Sequence, residues 1–231
     1  MKRLILGDGL LGSKLIKQTG WDYISRKKDG IDFTLPETYD YLISNYDEVI
    51  NCIGYTNTYD TDKTQSYNVN YIGVVNLVDI CNKFKTKLIH ISSDYVYANS
   101  VSNASEDDIP SPCNTWYGYY KVLSDAYIQL KANDYLIFRS CHKPEPFTFE
   151  KAYCDLIGNF DYVSNISPIM IKLIEKNAKG LFNIGTEQKT MYELAKRTKS
   201  DVESVHGLLN ETMPVDVTMN LNKLRGEIDE F

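Results

Sequence analysis

The chain has little histidine, no cysteine pair at metal-binding or redox spacing, and no long apolar run, and each shortage removes a class of function. Its three histidines, His90, His142 and His206, are widely separated, and Cys52, Cys81, Cys113, Cys141 and Cys154 include no CxxC. An odd, scattered set of thiols reads as free cysteine in a reducing compartment, and no metal-ligating pattern is expected. No apolar stretch approaches the roughly 20 residues that cross a bilayer. Lys2-Arg3 precedes an apolar run, as in a signal peptide, but the run is short, carries Asp8 and is broken by glycines. Positive charge is in deficit as well. A net charge of -6 and a pI near 5.2 argue against nucleic acid or an anionic membrane as partner. The expected location is cytoplasmic.

What the chain does have is the material for a core. At 231 residues and 43% hydrophobic, it can form one compact unit with a small appended lobe. Apolar β-rich runs at 2–6, 22–25, 48–53, 87–92 and 135–139 alternate with helical patterns at 10–18, 36–44, 66–84 and 115–130. After Ser140 the pattern loosens: Lys143-Pro-Glu-Pro-Phe147 reads as a rigid turn, and helices are expected only at 169–175 and 191–196. The expected fold is α/β, a Rossmann-like doubly wound parallel sheet. A dinucleotide-binding domain over 1–140 precedes a small, shortened C-terminal substrate lobe over 141–231 that partly completes the same unit.

Directly after the first apolar run comes Gly7-Asp8-Gly9-Leu10-Leu11-Gly12. A tight strand-to-helix turn lets backbone amides and the helix dipole meet a pyrophosphate, and glycine permits the close approach. The strand-then-helix context is what gives such a fingerprint weight. In NAD enzymes an acidic residue about 20 residues on accepts from the ribose 2′-hydroxyl. Here that region reads Ser25-Arg26-Lys27-Lys28, a hydroxyl followed by cations, which suits a 2′-phosphate and favours NADP(H) over NAD(H). The bland alternative is a solvated basic turn. Asp32-Phe33 follows and could clamp the adenine.

Tyr117-Gly-Tyr-Tyr-Lys121 places Tyr117 and Lys121 one helical turn apart. An ammonium beside a phenol stabilises phenolate and draws the tyrosine pKa toward working pH, so the phenol can act as acid and base. Tyr119 and Tyr120 are rivals as packing residues, and the register with Lys121 selects Tyr117. Ser93 ends a strand whose C-terminal edge would face the cofactor crevice, where its hydroxyl would hold a substrate oxygen.

Together these residues resemble the extended short-chain dehydrogenases/reductases, most of all the dTDP-4-dehydrorhamnose reductase family. Asn51-Cys52-Ile53-Gly54-Tyr55-Thr56 resembles the segment under the cofactor, and Asn70-Tyr-Ile-Gly73 resembles the motif on the next helix. Ser92-Ser93-Asp94-Tyr95-Val-Tyr97 resembles the catalytic serine/threonine segment, and 161–163, 180–185 and 214–219 resemble the later segments of the fold. The resemblance implies cofactor contacts from Gly7, Gly9, Leu10, Leu11, Gly12, Ser25, Arg26, Asp32, Phe33, Cys52, Ile53, Gly54, Ser92, Tyr117 and Lys121. It implies catalysis by Ser93, Tyr117 and Lys121. Thr56, Asp94, Tyr95 and His142 would face the substrate.

The implied reaction is reduction by NADPH of a nucleotide-linked 4-keto-6-deoxysugar, with Tyr117 as proton donor. The family's dehydratases carry Asp-Glu after the catalytic serine/threonine; here Asp94-Tyr95 follows, and the acid-base pair for dehydration is missing. The segment between Arg139 and Asp161 is compressed. That leaves two alternatives: a sugar-nucleotide epimerase of the same fold, including a combined 3,5-epimerase/4-reductase, and a non-catalytic NADP-binding regulatory subunit. A nucleotide-sugar substrate is the expected partner, and a homodimer stays open.

Overall fold

Residues in strand β1 (Arg3–Leu6) can be buried on both faces only if layers of helix lie on each side, and the runs that follow meet that demand. The computed structural model describes residues 1–207 and 213–228. Beside β1 stand β2 (Asp22–Ile24), β3 (Glu48–Asn51), β4 (Lys87–Ile91) and β5 (Tyr135–Ser140). The pairs β1–β2, β1–β3, β3–β4 and β4–β5 are parallel. Strand Gly180–Ile184 adds a sixth member beside β5, giving the order (180–184)-β5-β4-β3-β1-β2. The winding reverses between β1 and β3, the topological switch point at which open α/β sheets bind ligands. The expected Rossmann-like parallel sheet is what forms.

Burial sets a price for charge inside this sheet. Glu48, at the start of β3, is 2% exposed and accepts from Arg3 Nε at 2.5 Å, with Lys87 Nζ 3.5 Å away. Lys87 Nζ also donates to Ala178 O at 2.7 Å, so the buried charges are paired and hydrogen-bonded.

The helical pattern expected as one piece over 66–84 is three pieces. Helix Lys63–Tyr67 passes into a π turn at Asn68–Ile72 before helix Gly73–Phe84. Ser124 Oγ donates to Asn70 O, a carbonyl that an uninterrupted α-helix would use internally. Wider π turns of this kind recur near functional sites. The pattern at 36–44 is likewise broken, into a 3-10 turn at Pro36–Thr38 and a single α turn at Asp40–Ile43. The basic turn at 26–29 is itself one helical turn, capped by Ser25.

Beyond β5, helix Val163–Glu175 starts before Pro168 rather than after it. Proline breaks the internal hydrogen-bond pattern of a helix. Here the buried face of Val163, Ile166, Ile169, Met170, Leu173 and Ile174 holds the segment helical. The remaining strands are two or three residues long, too short for a visible period. Lys151–Tyr153 pairs in parallel with Glu203–Val205, and Ile157–Gly158 lies between Lys189–Thr190 and Asp216–Val217.

The chain forms two compact units that interleave in sequence, where the sequence reading draws one boundary at residue 140. The first comprises Met1–Ser92, Thr115–Phe138 and Ala178–Leu181; the second comprises Ser93–Asn114, Arg139–Asn177 and Phe182–Phe231. The first has its core around Leu4, Leu6, Val49, Leu77, Leu88 and Ile137. The second is built on Phe147, Leu156, Phe160, Tyr162, Leu194 and Val217. Among the described residues no helix is long and apolar enough to cross a membrane.

Candidate active site

The glycine loop joins β1 to helix α1 (Leu10–Thr19), and each glycine answers a different steric demand. Gly7 has φ +93°, a conformation that side chains resist, and a Cβ there would lie 2.9 Å from Ile53 Cγ1. A Cβ on Gly12 would stand 2.1 Å from Gly7 O, so only glycine lets the helix begin this close to the strand. Gly9 faces open space, with nothing within 4 Å of an added Cβ. As N-cap of α1 it brings no side-chain cap, which leaves first-turn N–H groups for a ligand. An open, amide-lined helix start of this kind fits the pyrophosphate of a dinucleotide. Leu10 is exposed beside it, and Leu11 is buried beneath.

At the end of β2 the roles divide. Ser25 is buried, and its Oγ accepts from Lys28 N at 3.1 Å, capping the turn that follows. Lys28 Nζ lies 4.1 Å from the Tyr23 ring centroid and donates to Tyr23 O at 3.0 Å. Arg26 and Lys27 are exposed. The expected adenine clamp is only half available. Asp32 Oδ1 accepts from Thr34 Oγ1 at 2.7 Å and Thr34 N at 2.9 Å, bonds that hold its carboxyl below the usual range. The Phe33 ring is buried, 5.8 Å from the Tyr39 ring and packed on Gly73, where a Cβ would meet it at 2.6 Å. Core packing holds that ring.

Thr115 caps helix Trp116–Lys131, its Oγ1 accepting from Gly118 N at 3.1 Å, and so fixes the register of the tyrosines that follow. Tyr120 is buried and stacks on Trp116 at 5.8 Å, while Tyr119 points to solvent. Tyr117 is half-buried with its ring centroid 5.9 Å from Lys121 Nζ. Lys121 is 4% exposed, and its Nζ donates to Ile91 O at 2.9 Å.

Burial lowers the Lys121 pKa to about 8, against the opposing pull of Asp125 and Cys52. Burial also pushes the Cys52 thiol up to about 12. It drives His90 well below its usual value, with the lysine charge adding to the effect. Cys52 and His90 are therefore neutral near pH 7, and Lys121 supplies the cation in this pocket of side chains.

Asn70 ties the loop after β3 to the π turn. Its Oδ1 accepts from Tyr55 N and its Nδ2 donates to Tyr55 O, both at 2.9 Å. Gly54, from the expected cofactor segment with Cys52 and Ile53, would bring a Cβ within 3.8 Å of Lys121 Nζ. Thr56 is exposed just beyond. Ser92 Oγ is buried with no hydrogen-bond partner among the described residues, a polar atom left for a bound group to satisfy. Asn70 and Ser124 are the positioning residues that residue-by-residue reading left without a role. Their signal was a polar residue on the buried side of a helical segment.

In the second unit, Ser93 caps the 3-10 turn Asp94–Tyr97. Its Oγ accepts from Tyr95 N and donates to Asp94 Oδ1, both at 3.2 Å. Asp94 is 1% exposed, and burial raises its carboxyl to about 6 while Lys143 pulls it back. One oxygen of this buried carboxyl, Oδ1, orients Ser93, while Oδ2 has no hydrogen-bond partner among the described residues. Tyr95 is half-buried against the unit's core, and His142 is half-buried in the short strand His142–Lys143. Phe147 lies inside that same core with Phe149 exposed at its edge.

The family pattern of the RmlD substrate binding domain matches residues 1–142. A dTDP-4-dehydrorhamnose reductase from Mycobacterium tuberculosis is 32% identical over 110 residues, 45% of this chain and 36% of that protein, so the chain spans little over a third of this relative. The spore coat polysaccharide biosynthesis protein SpsK of Bacillus subtilis is 24% identical over 206 residues, 79% of this chain and 72% of that one. A dTDP-4-dehydrorhamnose reductase from Bacillus anthracis, solved in complex with NADP, superposes with TM-score 0.82 at 23% identity, covering 97% of this chain and 91% of that one. WbmG of Bordetella bronchiseptica, in complex with NAD, gives TM-score 0.78 at 16% identity over 98% and 87% of the two chains. These superpositions establish the shared fold. The family pattern spans more than half of the sequence and includes both the glycine loop and the Tyr117–Lys121 pair, and on that ground the chain belongs to the RmlD substrate binding domain family of extended short-chain dehydrogenases/reductases.

Proposed function

We propose that the chain is an NADPH-dependent reductase of a nucleotide-linked 4-keto-6-deoxysugar, of the dTDP-4-dehydrorhamnose reductase type. The observation that carries this reading is the buried Lys121 cation beside the half-buried Tyr117 ring. Gly7, Gly9 and Gly12 with the first turn of α1 would hold the pyrophosphate, Arg26 the 2′-phosphate, and Cys52, Ile53, Gly54 and Ser92 the remainder. When bound, the cofactor supplies a hydride to the sugar C4. Tyr117 gives its phenolic proton to the C4 oxygen, and Lys121 stabilises the phenolate left behind. Ser93 would steady a substrate oxygen through its hydroxyl, itself oriented by Asp94. Thr56, Tyr95 and His142 serve the sugar and its nucleotide. A panel of 4-keto sugar nucleotides incubated with NADPH tests this. One NADPH oxidised per sugar reduced is expected. Isomerised sugar without net NADPH loss would replace the reductase by the epimerase, and tight NADP binding with no turnover would replace it by the regulatory subunit.

Selectivity for NADP(H) rests on Arg26, whose exposed guanidinium suits a 2′-phosphate in charge and geometry. Arg26→Ala is expected to weaken NADPH by about 1.5–3 kcal/mol, the scale of a hydrogen bond to a charged group, and NADH far less. Fluorescence titration of both cofactors reads this directly. Equal losses would make the basic turn solvated surface only.

A further inference from the structure

The histidines stand far apart in sequence, yet one of them is brought to a cysteine and a carboxylate by strand pairing. Lys151–Tyr153 and Glu203–Val205 run parallel with Val205 opposite Tyr153. Parallel strands end at the same edge, so the residues that follow, Cys154 and His206, are neighbours. The ladder continues one step further, with Cys154 N donating to Val205 O at 2.9 Å. Asp155 comes next, and both its carboxylate oxygens accept from Gly207 N at 2.9 Å, which turns the carboxylate toward His206.

We propose that Cys154, Asp155 and His206 form a binding site for a thiophilic divalent metal ion of the zinc type. The three donor atoms lie within 4.8 Å of one another. Cys154 Sγ is 3.6 Å from His206 Nδ1, and His206 Nδ1 is 3.6 Å from Asp155 Oδ2. Bond lengths of about 2.3 Å to sulfur and 2.0 Å to nitrogen or oxygen put tetrahedral ligands roughly 3.3–3.5 Å apart. The two separations that involve His206 therefore already stand near the edge lengths of a zinc tetrahedron, and the third, no longer than 4.8 Å, closes as the ion draws its ligands in.

The donor chemistry narrows the ion. Magnesium and calcium prefer all-oxygen ligand sets, whereas mixed thiolate, imidazole and carboxylate suit zinc and its neighbours. Three protein ligands leave a fourth position for water. His206 is 74% exposed, so an ion can reach the site from solvent. The Cys154 thiol, whose Sγ lies 3.4 Å from Val205 O, gives its proton to solvent as the metal–sulfur bond forms. None of the three residues has a part in the proposed hydride chemistry. Binding would tie together the ends of two short strands.

Cobalt(II) is the probe, because tetrahedral thiolate ligation gives it intense visible bands and a near-ultraviolet sulfur-to-metal band. Titration of the reduced, full-length chain is expected to develop both at one cobalt per chain, and zinc(II) should bleach them while magnesium does not. Cys154→Ser should abolish the near-ultraviolet band. His206→Ala alters an exposed side chain whose loss leaves the fold intact. It should weaken cobalt roughly tenfold or more, the scale seen even for second-layer disruptions of metal sites. Zinc should also raise the melting temperature of the wild type but not of His206→Ala. Absence of the sulfur band in the wild type, its persistence in Cys154→Ser, or unchanged affinity in His206→Ala would each overturn the site.

Discussion

Replacing Tyr117 by phenylalanine is expected to lower turnover by roughly 10²-fold or more with cofactor affinity nearly unchanged, because general acid-base groups contribute 10²–10⁴-fold. The ring remains, so packing and the approach of the substrate are preserved, and only the transferable proton is lost. Tyr119→Phe and Tyr120→Phe serve as controls, since one ring is exposed and the other is held by Trp116. Full turnover in Tyr117→Phe would remove this residue from the mechanism.

Lys121→Met should reduce both turnover and cofactor binding, since its ammonium is proposed to stabilise the phenolate and the residue is also among the contacts expected for the cofactor. The sign of the pH effect follows from the same group. Lys121 is cationic below its depressed pKa of about 8 and neutral above it, so kcat/KM is expected to fall as pH rises through that region. In Lys121→Met that limb should move or vanish. A limb unchanged by the substitution would assign it to another group.

The parts of this site that sequence reveals are those governed by short-range rules. A glycine loop between strand and helix, and a tyrosine one turn before a lysine, are local patterns, and Gly7, Gly12, Tyr117 and Lys121 occupy the positions that those patterns require. What stayed hidden depends on contacts between distant residues. The π turn at Asn68–Ile72 follows from Ser124, far along the chain, taking the Asn70 carbonyl. The burial of the Phe33 ring depends on Gly73, forty residues on, which leaves the hollow that the ring fills. Asp94 is polar by type yet buried, with Ser93 and Lys143 acting on its carboxyl. The start of helix Val163–Glu175, before the expected 169–175, was hidden by Pro168, whose local penalty is outweighed by burial on both sides of it. Strands of two residues, such as Lys189–Thr190 and Ile157–Gly158, are too short to show alternation at all.

Asp161→Ala is expected to cost about 3–5 kcal/mol of stability, the range for removing one partner of a buried ion pair. Asp161 is 2% exposed and Lys189 4%, with Lys189 Nζ 3.3 Å from Asp161 Oδ2. The same carboxylate accepts from Thr186 Oγ1 at 2.6 Å, Tyr162 N at 2.7 Å and Asn165 Nδ2 at 2.9 Å. Arg197 is half-exposed and 3.9 Å away, so it adds little. Burial pushes the carboxyl up, but the bonds from Thr186, Asn165 and Tyr162 and the charge of Lys189 bring it below its usual value. A depressed pKa in the folded state means that this stabilisation is present above the unfolded pKa and is lost as pH falls through the folded one. The penalty of Asp161→Ala should therefore be full at neutral pH and shrink in acid.

Asp161→Ala/Lys189→Met should recover much of the loss, since the double variant leaves no buried charge without its partner. Trp21 and Trp116 both lie in the first unit, so far-ultraviolet circular dichroism read beside tryptophan fluorescence in urea separates loss of the second unit from collapse of the whole. A loss below about 1 kcal/mol would place Asp161 among ordinary hydrogen-bonding residues. It would mean that the bonds from Lys189 Nζ to Phe160 O, Glu187 O and Thr186 Oγ1 satisfy the ammonium without the carboxylate.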